Sequence, residues 1–133
     1  MIATGAIRDE GTSYHYLPPA NSAEAPLKLI PFLLAELGPL GLPVHCGMVW
    51  TTDAPYRETA KELKMYSSQG VLAVEMQAAS LFALASMRNA TIGAVAHVSN
   101  AIDHPGESFD KGPETDGIRI LKALCHAGLA VVS

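Results

Sequence analysis

Between residues 70 and 85 the chain changes period within a few positions, and that change fixes the class of fold. An apolar run, Val71-Leu72-Ala73-Val74, is interrupted by Glu75 and passes through Met76 and Gln77 into strong helix formers from Ala78 to Ala85. A short apolar segment followed by a helical one reads as a strand feeding a helix, with the acid at the joint. In α/β proteins that joint is where ligands sit, at the carboxyl ends of strands. A carboxylate between Val74 and Met76 must find partners, because burying it unpaired costs several kcal/mol. Two roles are open to it. It can start the helix, where the partial positive charge of the N-terminus favours an acid, or it can accept hydrogen bonds from a ligand's hydroxyls.

The remaining segments fit an α/β chain with a central mixed sheet flanked by helices. Residues 1–8 read as a strand, and residues 11–22 as a loop rich in glycine, proline and serine. His15 in that loop is either a solvated packing residue or part of a site. In 24–40, Leu27, Ile30, Leu34 and Leu37 recur at helical spacing, and Pro31 should kink or delay the helix. Residues 43–52 alternate as a strand, with Val44, Cys46, Met48 and Trp50 on one face and His45, Gly47, Val49 and Thr51 on the other. A loop at 53–58 leads to a helix over 56–69, closed by Gly70. After the helix at 77–87, residues 91–98 read as a strand, with Asn100 just beyond its end. A polar loop at 104–113 precedes a last helix, capped by Thr115 or Asp116 and ending near residue 127. Its expected buried face is Ile118, Leu121 and Leu124 or Cys125.

Composition narrows the function. The 133 residues make one domain, 1–133, and 49% hydrophobic against 17% charged residues suggests apolar surface covered by a second copy, hence a homo-oligomer. A net charge of −4 with scattered lysines and arginines argues against nucleic acid and membrane as partners. Cys46 and Cys125 lack metal-ligand spacing and read as reduced core residues of a cytoplasmic protein. No stretch has the pattern of a signal peptide or a membrane span.

Val74-Glu75-Met76-Gln77-Ala78-Ala79 closely resembles the Val-Glu-Met-Glu-Ala-Ala signature of the nucleoside phosphorylase family, which includes uridine phosphorylase, hexameric purine nucleoside phosphorylase and the methylthioadenosine nucleosidases. Arg8-Asp9-Glu10-Gly11-Thr12-Ser13-Tyr14-His15-Tyr16-Leu17-Pro18 resembles the Arg-x-[Asp/Glu]-Gly-x-Ser-x-His-[Tyr/Phe]-x-Pro loop of the uridine phosphorylase-like members. Thr51-Thr52-Asp53-Ala54-Pro55-Tyr56 resembles their Ser-Ser-Asp-x-Phe-Tyr segment. The resemblance covers nearly all of this chain but only about the C-terminal half of a family member, so a partial phosphorylase/hydrolase-like three-layer fold is expected, without the N-terminal phosphate-binding portion.

What the resemblance implies is phosphorolysis of an N-glycosidic bond, giving free base and ribose 1-phosphate. It places Glu75, Met76 and Gln77 at the ribose, and Tyr56, Arg57 and Asn100 at the base. It assigns no catalytic residue, no metal and no cofactor; phosphate would be co-substrate. Three departures bear on activity. Gln77 stands where the family has a glutamate that accepts from the ribose hydroxyls. Pro55 replaces an aromatic residue that stacks on the base, leaving stacking to Tyr56 or Arg57, unless Arg57 pairs with Glu58 or Glu62 on a solvated helix face. Asn100 stands where the purine branch has an aspartate, and points to a pyrimidine nucleoside such as uridine. The alternative is a catalytically inactive homologue acting as a nucleoside-binding or assembly module. A nucleosidase using water fits less well, because hydrolytic members carry an acid at the position of Asn100.

Overall fold

A computed structural model describes residues 1–101, 110 and 112–132. At its centre lies β1 (Ile2–Asp9), bordered by antiparallel β2 (Ser22–Glu24) and parallel β3 (Cys46–Thr52). β4 (Val71–Glu75) continues the sheet parallel to β3, giving the order β2-β1-β3-β4, with no further strand beside β4 among the described residues. This is the mixed sheet flanked by helices expected from the sequence. Because β1, β3 and β4 run parallel, with Asp9 opposite Thr52 and Thr51 opposite Glu75, their carboxyl ends arrive on the same side of the sheet.

The sheet separates two apolar clusters. On one face α3 (Ala78–Arg88) brings Ala78, Ala79 and Phe82 against Ala3, Ala6 and Val49. On the other, α1 (Ile30–Leu37) and α4 (Glu114–Val132) enclose Ile2 with Leu29, Leu33, Leu37, Ala123 and Ala127. Small residues at Ala3, Ala6, Ala78 and Ala79 let α3 lie close to the strands. α2 (Ala60–Ser68) packs beside β4 and ends at Gly70, whose φ of 82° suits glycine.

Several boundaries differ from the sequence reading, each for a local reason. Instead of one helix over 24–40 there is β2, a 3-10 turn at Leu27–Leu29, the eight-residue α1, and a second 3-10 turn at Gly38–Leu40. Pro31 lies in the first turn of α1, where its missing N–H is harmless. Leu29, Leu33 and Leu37 face inward, while Leu27 is 60% and Leu34 42% exposed. A helix apolar on all sides does not declare its buried stripe. α2 begins at Ala60 because Thr59 caps it: Thr59 and Glu62 exchange hydrogen bonds as a capping box, and Pro55–Arg57 forms a separate 3-10 turn. β3 begins at Cys46 and is buried on both faces from Val49 onward, as suits an interior parallel strand.

Residues 91–98 do not form a strand. They contribute one bridge, Val95 opposite Ile2, with Ala3 N donating to Ala94 O (3.0 Å) and Ala96 N to Met1 O (2.9 Å). β2 already occupies this edge of β1 from Gly5 to Ile7, so a single bridge is what remains. In α4 the inward residues are Ala123 and Ala127, supported by Ile120 and Leu124, whereas Ile118 and Leu121 are exposed. Close helix packing selected alanines over the larger side chains. Both cysteines are free, and both are exposed rather than in the core. The expected loop at 104–113 falls almost wholly outside the described residues. Among the described residues no helix is long and apolar enough to cross a membrane.

Candidate functional site

Pairing of β3 with β4 places Thr51 opposite Glu75 and Trp50 opposite Val74. Since side chains alternate across a sheet, Thr51 and Glu75 share the α3 face with Val49, and Trp50 points to the other face. Thr51 is completely buried, and its hydroxyl accepts from Ala79 N at 3.0 Å and donates to Glu75 Oε1. Glu75 Oε2 accepts from Gln77 N (2.6 Å) and Ala78 N (2.8 Å). The N-cap residue Gln77 makes no side-chain cap, so Glu75 and Thr51 together satisfy the opening N–H groups of α3. Of the two roles open to Glu75, this geometry is that of a helix-initiating carboxylate.

Beyond this joint a cavity of about 1030 Å³ opens along the whole of β4, between the carboxyl end of β3, the length of α2 and residues 96–101. Glu75, Met76, Tyr56 and Asn100 all line it; Gln77 and Arg57 do not. Met76 is 54% exposed at its rim. Tyr56, 98% exposed, stands out from the loop. Asn100 is exposed and accepts from Ser99 Oγ at 3.1 Å. Among the described residues Arg57 forms no ion pair with Glu58 or Glu62, and Glu62 is engaged by Thr59 instead.

Among the lining side chains that the sequence reading did not name as site residues are Glu58, Trp50 and Tyr66. Partial burial, then the nearby charge of Glu62, pushes the Glu58 carboxyl above the usual range. Burial, followed by Asp9 and Glu62, likewise raises the Tyr66 phenol. Glu62 moves the other way, held down first by the Thr59 hydroxyl and then by the Thr59 backbone N–H. Pairing of Trp50 with a cavity could have been suspected from its place at the end of β3. Glu58 and Tyr66 gave no comparable signal, since Glu58 in the loop before α2 and Tyr66 in a largely polar helix look like solvent-facing residues. Among the described residues no group of His, Cys, Asp and Glu is arranged to hold a metal.

The loop after β1 is folded around Arg8, which is 5% exposed. Its guanidinium donates to Ser13 Oγ (2.7 Å), Pro18 O (2.7 Å) and Leu17 O (3.2 Å), and lies 4.1 Å from the centre of the Tyr14 ring. Glu10 accepts from Ser13 N, and Gly11 N donates to Asp53 Oδ2 at 3.0 Å, tying the loop to the segment after β3. Arg8 is thereby a structural cation with neutral acceptors. His15 is exposed.

The family model described as the Phosphorylase superfamily matches residues 1–129. Guanosine phosphorylase of Halorubrum lacusprofundi is 31% identical over 128 residues, which are 93% of this chain and 53% of that protein. In fold, the chain is similar to an AMP nucleosidase from Bacteroides thetaiotaomicron, with TM-score 0.77 and 21% identity, over 99% of this chain and 54% of the other. It is similar also to a P. knowlesi homologue of P. falciparum PNP, with TM-score 0.78 and 23% identity over the same shares. The chain therefore spans about half the length of the relatives it matches.

Proposed function

This chain belongs to the Phosphorylase superfamily, and on that footing we propose that its cavity takes a purine nucleoside of the guanosine type for phosphorolysis. In that reaction a phosphate oxygen bonds to C1′, the C1′–N bond breaks, and its electron pair leaves with the base, which is then protonated. The products are free base and ribose 1-phosphate. Phosphate is co-substrate, and no cofactor belongs to this reading.

The observation that carries it is Glu58 in the same cavity as Met76, in a chain 31% identical to a guanosine phosphorylase. Guanine presents adjacent donors, a ring N–H and an exocyclic amine, that a carboxylate can accept together. Asn100 serves at the opposite edge, where its amide can donate to the carbonyl oxygen and ring nitrogen of guanine without acting as an acid. The preference for uridine expected from Asn100 gives way to guanosine on these grounds. Ribose falls to Met76, with Glu75 shaping the turn that presents it; Gln77 and Arg57 lie outside the cavity lining. The test is phosphate-dependent release of guanine from guanosine, compared with uracil from uridine. Guanosine turnover above uridine turnover supports the proposal, and the reverse order overturns it.

A second reading is favoured by the lining itself, which among the described residues contains Lys64 but no arginine. It is a catalytically silent module that binds nucleoside without phosphate. Affinity for guanosine unchanged by phosphate, together with no turnover, would select it. Either version sits in the cytoplasm, as the two free cysteines suit, and as a homo-oligomer for which the outer edge of β4 is the natural seat. The mass in solution tests that last part.

A further inference from the structure

Resting on the purine-nucleoside reading, we infer that the Tyr66 ring on α2, braced by Trp50, is the surface on which the base stacks. A stacking partner must present a flat face that is held in place. Tyr56 does not meet that condition, because it is 98% exposed and no ring contact holds it among the described residues, and Arg57 does not line the cavity. Tyr66 does. It lines the cavity, and its ring centre lies 4.6 Å from that of Trp50, with the planes tilted by 46°. Trp50 is in turn immobile: it is 2% exposed, and its indole N–H donates to Asp9 Oδ2 at 2.9 Å. The brace therefore runs from β1 through Asp9 to Trp50 and on to Tyr66. Trp50 and its β4 neighbour Val74, on the face away from α3, line the same cavity, which places the aromatic wall beside the turn that carries Met76.

The assignment moves base stacking from the loop after β3 to the helix that follows it. It accounts for Pro55 and for the outward Tyr56 together, since a ring supplied by α2 makes an aromatic residue in the loop unnecessary. Glu58, just before α2, lines the same cavity as Tyr66.

Trp50 is the chain's only tryptophan, so its emission reports on the wall itself. Guanosine titrated into the full chain should change that emission saturably, with calorimetry giving the same Kd. Tyr66→Leu should raise the Kd about ten- to a hundred-fold, the range of base–aromatic stacking, whereas Tyr66→Phe should stay within about two-fold because it keeps the ring. Free guanine should lose as much affinity as guanosine, and ribose 1-phosphate none. If circular dichroism shows Tyr66→Leu to be unfolded, Tyr66→Met, which keeps volume without a ring, takes its place. A folded ring-less variant that binds guanosine as the wild type does overturns the platform and leaves the purine-nucleoside reading standing. A wild type that binds no guanosine by calorimetry overturns that reading and the platform with it.

Discussion

The two walls of the cavity are built on opposite plans. On the β4–α3 side, Glu75 holds three donors and Thr51 both gives and accepts, so the turn through Met76 has a single arrangement. On the other side, the segment after β3 carries Tyr56 almost wholly in solvent, and the Asn100 side chain accepts from the hydroxyl of its neighbour Ser99. The contrast suits the chemistry proposed. A sugar is the same in every nucleoside and rewards a fixed turn, and the face of a base rewards a fixed ring, whereas the edges of bases differ and are read by side chains that can adjust.

The comparison breaks first at Thr51. Thr51→Val leaves the Ala79 N–H buried without its acceptor and takes a donor from Glu75, so urea unfolding should show a loss of about 1–3 kcal/mol. Thr51→Ser should recover most of it. Next, Thr59→Ala removes the cap of α2 and should cost about 1 kcal/mol at neutral pH. Because Glu62 is held below its usual range by Thr59, the difference between wild type and Thr59→Ala should be full above that range and fade as pH falls through the lowered value. Tyr56→Ala, on the loose wall, should change stability by less than about 0.5 kcal/mol. A loss as large as that of Thr51→Val would mean that the two walls are not different in kind.

The smallest effect concerns Glu58, whose raised carboxyl makes the folded state bind its proton more tightly than the unfolded chain does. That contribution is present below the usual carboxylate range and is lost as pH rises through the folded value. Glu58→Gln should therefore melt slightly above wild type at neutral pH, with the gap closing in acid.

The tight wall was legible in the period of the sequence, whereas Tyr56 and Asn100 of the loose one were pointed out only by the resemblance. The change of period around Glu75 is a local signal, and it located the strand, the helix and the acid between them. The partner of that acid was invisible, because Thr51 meets Glu75 only through the register of β3 with β4. α4 misled for a different reason: large apolar residues at Ile118 and Leu121 outweigh Ala123 and Ala127 on any scale of hydrophobicity, yet the alanines allow the close approach to α1. Tyr66 looked like one more polar-faced helix residue until Trp50 was found behind it. At 91–98 the composition of a strand was present but the edge of β1 was already shared with β2.

Parallel pairing also sets an order in time. β1 meets β2 across a short connection, whereas the parallel pairs Ile2 with Cys46 and Met48 with Val71 are joined only by longer crossovers. Each such crossover closes a long loop before any hydrogen bond rewards it, and contacts of that kind are the slow ones in folding. The two strands that bound the cleft pair through such a crossover, so the cleft cannot exist before a non-local contact has closed.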